Sequence, residues 1–146
     1  MYTLEDVEDF IAENFVPTKI HMAEQPETFG RFGAIWTPTL AVIDPDGEER
    51  YRFVGYLPAD DFLSRLDLGL AHRAAGRKRW EGAEERFRAV AETYPETEAA
   101  PEALYWAGVA RYQGRDEPAA LGETAAALAD RYPDSDWAKK ASVWGE

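Results

Sequence analysis

The chain contains no cysteine in its 146 residues. That excludes a disulfide, an iron–sulfur cluster, a zinc–thiolate site and a cysteine nucleophile within them. Histidine is nearly as scarce. His21 and His72 stand far apart, and neither has a partner at His-x-x-x-His spacing. The sequence lacks the glycine-rich phosphate loops and the Gly-x-Ser-x-Gly elbow. Ser64, Ser135 and Ser142 have no evident base beside them. The Asp and Glu residues alternating through Leu4–Glu13 lack the loop ligands and central Gly of a calcium site and read as a solvated helix face. No catalytic residue, cofactor-binding residue or metal ligand is therefore expected, and no cofactor. No apolar run approaches the ~20 residues of a membrane span. The N-terminus, MYTLEDVEDFI, lacks the basic start and apolar core of a signal peptide. The chain as written is expected to be soluble and cytoplasmic. An export signal upstream of Met1 would change that expectation.

Positive charge is also in short supply. Sixteen Lys and Arg stand against 28 Asp and Glu, a net charge of −12. Nucleic acid and anionic membrane are poor partners for such a balance. Residues 1–70 carry 14 acids and 5 bases, whereas residues 71–146 carry 14 acids and 11 bases, so the acidity concentrates in the first half. It reads as a solubility device or as complementarity to a basic partner. Hydrophobic residues reach 45% and aromatics 13%, enough for a packed core.

Leu4, Val7, Phe10 and Ile11 recur at helical spacing, with Thr3 placed to cap and Asp6 three residues on. The pattern predicts a helix over about 4–14. Phe15–Met22 alternates as a short strand, with Pro17 near its start. Pro26 can open a second helix that Gly33 stops. Ile35–Asp44 reads as the strongest strand, apolar enough to be buried on both faces. Asp44-Pro45-Asp46-Gly47 is a turn, and Glu48–Val54 returns as a second strand of a hairpin with Tyr51 and Phe53 on one face. A helix from Asp60 follows, turning Phe62, Leu63, Leu66 and Leu70 inward.

From Leu66 onward the chain repeats itself. Leu66, Gly76, Tyr94-Pro95 and Thr97 return as Leu104, Gly114, Tyr132-Pro133 and Ser135, always 38 residues later. Each unit reads as helix, Gly-Arg turn, helix and Tyr-Pro stop. A partial third unit from Trp137 to Trp144 would cap the stack, since one helix pair cannot bury its apolar face alone.

Phe15-Val16-Pro17 with Lys19, Trp36-Thr37-Pro38-Thr39, Asp44-Pro45-Asp46-Gly47 and Val54-Gly55-Tyr56 together resemble the distal part of a thioredoxin-like domain. The resemblance covers residues 7–66. It implies that Pro38 is that family's cis proline, whose geometry presents backbone to a bound polypeptide, with Trp36 and Thr37 beside it. Residues 67–144, with Gly-Arg turns and Tyr-Pro stops, resemble tetratricopeptide-type repeats. Leu104, Gly108, Ala120 and Ala127 fall near that family's helix-packing positions. Such repeats imply a protein or peptide partner in a concave groove.

The thioredoxin family's Cys-x-x-Cys, and the central strand before it, would lie upstream of Met1. Without that strand a slot should open between the strands at 15–22 and 35–44. Three arrangements resolve it: a longer protein, a strand from a neighbouring chain, or direct pairing of the two strands.

The expected architecture is an α/β thioredoxin-like segment at 1–66 plus all-α TPR-like helical hairpin repeats at 67–146, packed as one unit through the helix at 59–70. The expected role is a non-catalytic protein-interaction module. The alternative is the C-terminal portion of a thiol–disulfide oxidoreductase. Candidate binding residues are Trp36, Thr37, Pro38, Arg77 and Trp106. Pro38 reads either as a docking edge or as a shaper of the fold. Trp106, near Trp80, Tyr105 and Tyr112, reads as inter-helix core or groove. Arg77, with Arg73, Lys78 and Arg79, reads as a site for an acidic peptide or as a solvated turn. An open sheet edge also points to a homodimer.

Overall fold

The computed structural model describes residues 1–146. In chain order they form α1 (Leu4–Asn14), α2 (Pro26–Arg31), β1 (Thr39–Ile43), β2 (Glu49–Val54), α3 (Ala59–Gly76), α4 (Trp80–Thr93), α5 (Ala99–Arg115), α6 (Ala119–Arg131) and α7 (Asp136–Ala141), closed by a 3-10 turn at Ser142–Trp144. Helix α1 starts where its cap predicts. The Asp6 N–H donates to Thr3 Oγ1 at 3.2 Å, and the Thr3 N–H donates to Asp6 Oδ2 at 2.6 Å. The Thr3 N–H and the Thr3 hydroxyl, at 2.7 Å, both donate to Asp6 Oδ2 and hold the carboxyl below its usual range. Val7 and Phe10 pack against the main core, while Leu4 stays exposed.

Residues 15–22 form no strand, contrary to expectation. A strand exists only where its backbone finds a partner, and the sheet has two strands, β1 and β2. Direct pairing of 15–22 with β1 is therefore not how the slot closes. The first hairpin strand is also shorter than the apolar run, and it is buried on one face only: Val42 is buried, while Ala41 and Ile43 are exposed. Helix α3 covers that one face, and Gly69 is what lets it come close. A Cβ there would meet Val42 Cγ2 at 2.7 Å. The hairpin register runs from Thr39 opposite Val54 to Val42 opposite Tyr51, with an irregularity before Ile43. Its turn closes as expected, with Gly47 at φ +88° and its N–H donating to Asp44 O at 2.9 Å.

Helix α3 runs unbroken across residues 66 and 67 and packs on β2, α4 and α5. The main core gathers Leu63, Leu68, Phe87, Val90 and a set of alanines on α3, α4 and α5. A second cluster, Leu128, Ala125 and Ala141, holds α6 and α7 under Tyr105, Trp137 and Trp144. The 38-residue repeat extends to the caps. Tyr94 N–H donates to Val90 O, and Tyr132 N–H to Leu128 O. Thr97 and Ser135 hydroxyls donate to Tyr94 O and Tyr132 O. The left-handed residues of the two turns are Lys78 (φ 57°) and Asp116 (φ 51°), not the glycines before them. Gly76 and Gly114 serve close packing instead. A Cβ at Gly76 would meet Arg50 Nη1 at 2.7 Å, and one at Gly114 would meet Trp80 Cβ at 2.8 Å.

Candidate functional site

Two surfaces collect the chemistry, one at each end of the hairpin. At the turn end, Asp44 is buried, its side chain 0% exposed. It accepts from Arg50 Nε at 2.6 Å and from Arg73 Nε, and Arg77 Nη1 stands 3.8 Å away. Burial pushes the Asp44 carboxyl up, but the bonds from Arg50 and Arg73 outweigh it and hold it below the ordinary range. Arg73 and Arg77 of the expected basic run are thus turned toward the hairpin, and α3 is riveted to the turn.

Further along β2, Tyr51 reaches across α3 to α5. Its hydroxyl donates to Glu102 Oε2 at 3.2 Å and accepts from Arg65 Nη1 at 3.0 Å. Burial, then the nearby Glu102 charge, pushes Tyr51 up to about 12, and burial also raises Glu102. The Tyr51 ring stacks on His72, centroids 5.2 Å apart and planes 8° from parallel. His72 meets Phe87 and Trp106 edge-on at 5.0 Å and 5.4 Å. Burial pushes His72 down to about 4, so the imidazole is neutral at pH 7. Its Nε2 and the Trp106 Nε1 are buried without hydrogen-bond partners. Trp106 also lies 6.3 Å from Trp137 and against the main core. It is half-buried and lines an open cleft together with His72, Trp80, Phe87 and Val109.

The other end of the hairpin is different. The Thr37–Pro38 peptide bond is cis. Thr39 Oγ1 donates to Trp36 O at 2.6 Å, and Gly55 N–H donates to Pro38 O at 2.9 Å. These bonds fix the loop before β1 against the loop after β2. Ile35 is 93% exposed, Trp36 68%, Val54 50% and Tyr56 91%. Of the eleven exposed large apolar side chains, only Val143 lies beyond residue 56.

The sequence-derived residues therefore separate. Trp36, Thr37 and Pro38 share one exposed end of the hairpin, Arg77 belongs to its turn end, and Trp106 is half-buried in the cleft between α3 and α5. Ile35, Val54 and Tyr56 join Trp36 and were not singled out as site residues. A signal existed in the pairing of Val54 with Thr39 across the hairpin, which places Gly55-Tyr56 beside the Thr-Pro loop. No group of three or more His, Asp or Glu side chains converges to hold a metal ion. No helix is long and apolar enough to cross a membrane.

Residues 2–69 match the family model of the thioredoxin-like domain, and residues 102–135 match that of the tetratricopeptide repeat. The second match spans α5, α6 and the Tyr132-Pro133 stop. Neither a curated protein nor a solved structure matches the chain. The chain joins a thioredoxin-like domain to a tetratricopeptide-type repeat.

Proposed function

We propose that this chain is a non-catalytic protein-interaction module, with a cysteine-free thioredoxin-like platform at 1–66 and TPR-like repeats at 67–146. The observation that carries this reading is the exposed apolar group Ile35, Trp36, Val54 and Tyr56 around the Thr37–Pro38 loop. Large apolar side chains gathered at one place on a soluble surface mark contact with another protein. Tetratricopeptide repeats generally mediate such contact, which agrees. Trp106 is half-buried in a cleft with His72, Trp80 and Val109, whereas the large exposed apolar side chains gather at the Trp36 end, so the partner is taken there. A second copy of the chain is one partner the unpaired edge of β1 can recruit. In the test, Trp36→Ala is expected to weaken a captured protein partner at least about tenfold with an unchanged thermal midpoint. Retention of that partner at wild-type affinity would defeat the proposal.

A second reading is favoured by one observation: residues 15–22 and the outer edge of β1 both lack a strand partner. In this reading the chain is the distal part of a thiol–disulfide oxidoreductase, with Cys-x-x-Cys upstream. An N-terminally extended version should then reduce a disulfide substrate that the present chain leaves intact. An inert extended version removes this reading.

A further inference from the structure

Only two buried side-chain polar atoms lack a hydrogen-bond partner, His72 Nε2 and Trp106 Nε1. Folded interiors pair nearly all such atoms, so each one left over needs a reason. Here both belong to rings in edge contact, and both residues line the same cleft. The cleft measures about 470 Å³, inside the ~300–1,000 Å³ of small-molecule sites. Its walls are flat and apolar. Trp80 and Phe87 of α4 and Val109 of α5 complete it around the two rings. Gly114 lets Trp80 seat closely on α5, since a Cβ there would meet Trp80 Cβ at 2.8 Å. The charged side chains of the cleft, Arg50 and Glu49, are already paired. Arg50 Nε donates to Asp44, and Arg52 Nε donates to Glu49.

The chemistry of an occupant follows from these groups. An indole N–H can only donate, whereas Nε2 of a neutral imidazole donates or accepts according to its tautomer. A hydroxyl has one hydrogen and two lone pairs, so it answers both nitrogens in either tautomer. A carboxylate would bring a charge that no free cation of the cleft balances, and an unbalanced buried charge is costly. Flat aromatic walls favour a ring as the body of the ligand, through stacked and edge-to-face contacts. We infer that the cleft between α3 and α5 binds a neutral hydroxyaromatic group, its hydroxyl bonded to Trp106 Nε1 and His72 Nε2 and its ring against Trp80 and Val109. Both nitrogens are sealed from solvent, so the hydroxyl reaches them by parting the edge contact of the two rings. Trp36 does not line this cleft, and the inference stands apart from the interaction-module reading.

The test titrates three probes into the isotope-labelled whole chain and follows its five indole N–H resonances by NMR. The probes are p-cresol, toluene, which lacks the hydroxyl, and p-toluate, which puts a charge in its place. p-Cresol should bind at least about tenfold tighter than either, because a site with polar groups to satisfy rejects the analogue that cannot satisfy them. It should also shift the Trp106 indole resonance. Trp106→Phe removes the indole N–H, and His72→Phe removes the imidazole while keeping a ring in place. Each should lower p-cresol to the affinity of toluene, and the His72 variant serves alone if the Trp106 variant does not fold. A capped Gly-Tyr-Gly peptide separates two sources of the same chemistry. Tighter binding than p-cresol supports a tyrosine of another polypeptide, and weaker binding supports a free phenol. No binding of p-cresol, equal affinity for toluene, preference for p-toluate, or p-cresol binding that the folded variants leave unchanged overturns the inference.

Discussion

At the scale of single residues, His72 is the most informative side chain. It sits between Tyr51, Phe87 and Trp106 with its Nε2 unpartnered, and burial pushes it down to about 4. An unfolded histidine takes up its proton near pH 6.5. As pH falls below 6.5 the unfolded chain is therefore protonated first, and stability declines until pH passes about 4. Over that window the loss is about 3 kcal/mol. In urea unfolding at a series of pH values, His72→Phe should cancel this part of the acid limb and be relatively more stable at pH 5. Parallel pH profiles for the two proteins would refute the assignment. None of this was legible in sequence, where His72 is one polar residue in a helical run. Its burial depends on Tyr51, 21 residues earlier, folding back over α3. The same holds for Asp44. The residue reads as a turn former, which it is, but its three arginines are Arg50 of β2, Arg73 of α3 and Arg77 just past the end of α3. Long-range charge pairing has no period to read.

At the scale of elements, periodic signals were the ones that sequence carried well. The caps and bounds of α1, the turn at Asp44–Gly47 and the two Tyr-Pro stops follow from local chemistry and appear in place. The strand at 15–22 failed because strand pairing is not a local property. The Gly-Arg pairs mark the ends of the first helices rather than the turns themselves: Gly76 closes α3, Gly114-Arg115 closes α5, and the turns follow them. The left-handed positions are Lys78 and Asp116, themselves 38 residues apart. Gly108 shows the packing role most clearly. It lies on α5 where α6 crosses, and a Cβ there would meet Thr124 Oγ1 at 2.0 Å and Cβ at 2.7 Å. Alanine is the better helix former by roughly 1 kcal/mol. Gly108→Ala should nonetheless destabilise the chain, by about 1–3 kcal/mol, because α6 must move off. A raised thermal midpoint would show that the contact relaxes at little cost.

At the scale of the whole molecule, the thioredoxin-like and repeat parts are fastened together by side chains. Asp44 ties the hairpin turn to α3, Tyr51 ties β2 to α5, and α3 serves both parts. This leaves the Trp36 end of the hairpin as the surface where large apolar side chains are exposed together. The sequence resemblance led to that loop, but not to the exposure of its neighbours Ile35, Val54 and Tyr56. Exposure follows from what fails to cover a residue, and that is a property of the assembled chain. The most direct test of the interaction reading places a photo-reactive amino acid at position 36, with a matched substitution at exposed Glu92 on α4 as the control. After irradiation in the source cells, a discrete adduct with another protein is expected from position 36 and none from position 92. No adduct from position 36, or the same diffuse adducts from both, would contradict the reading.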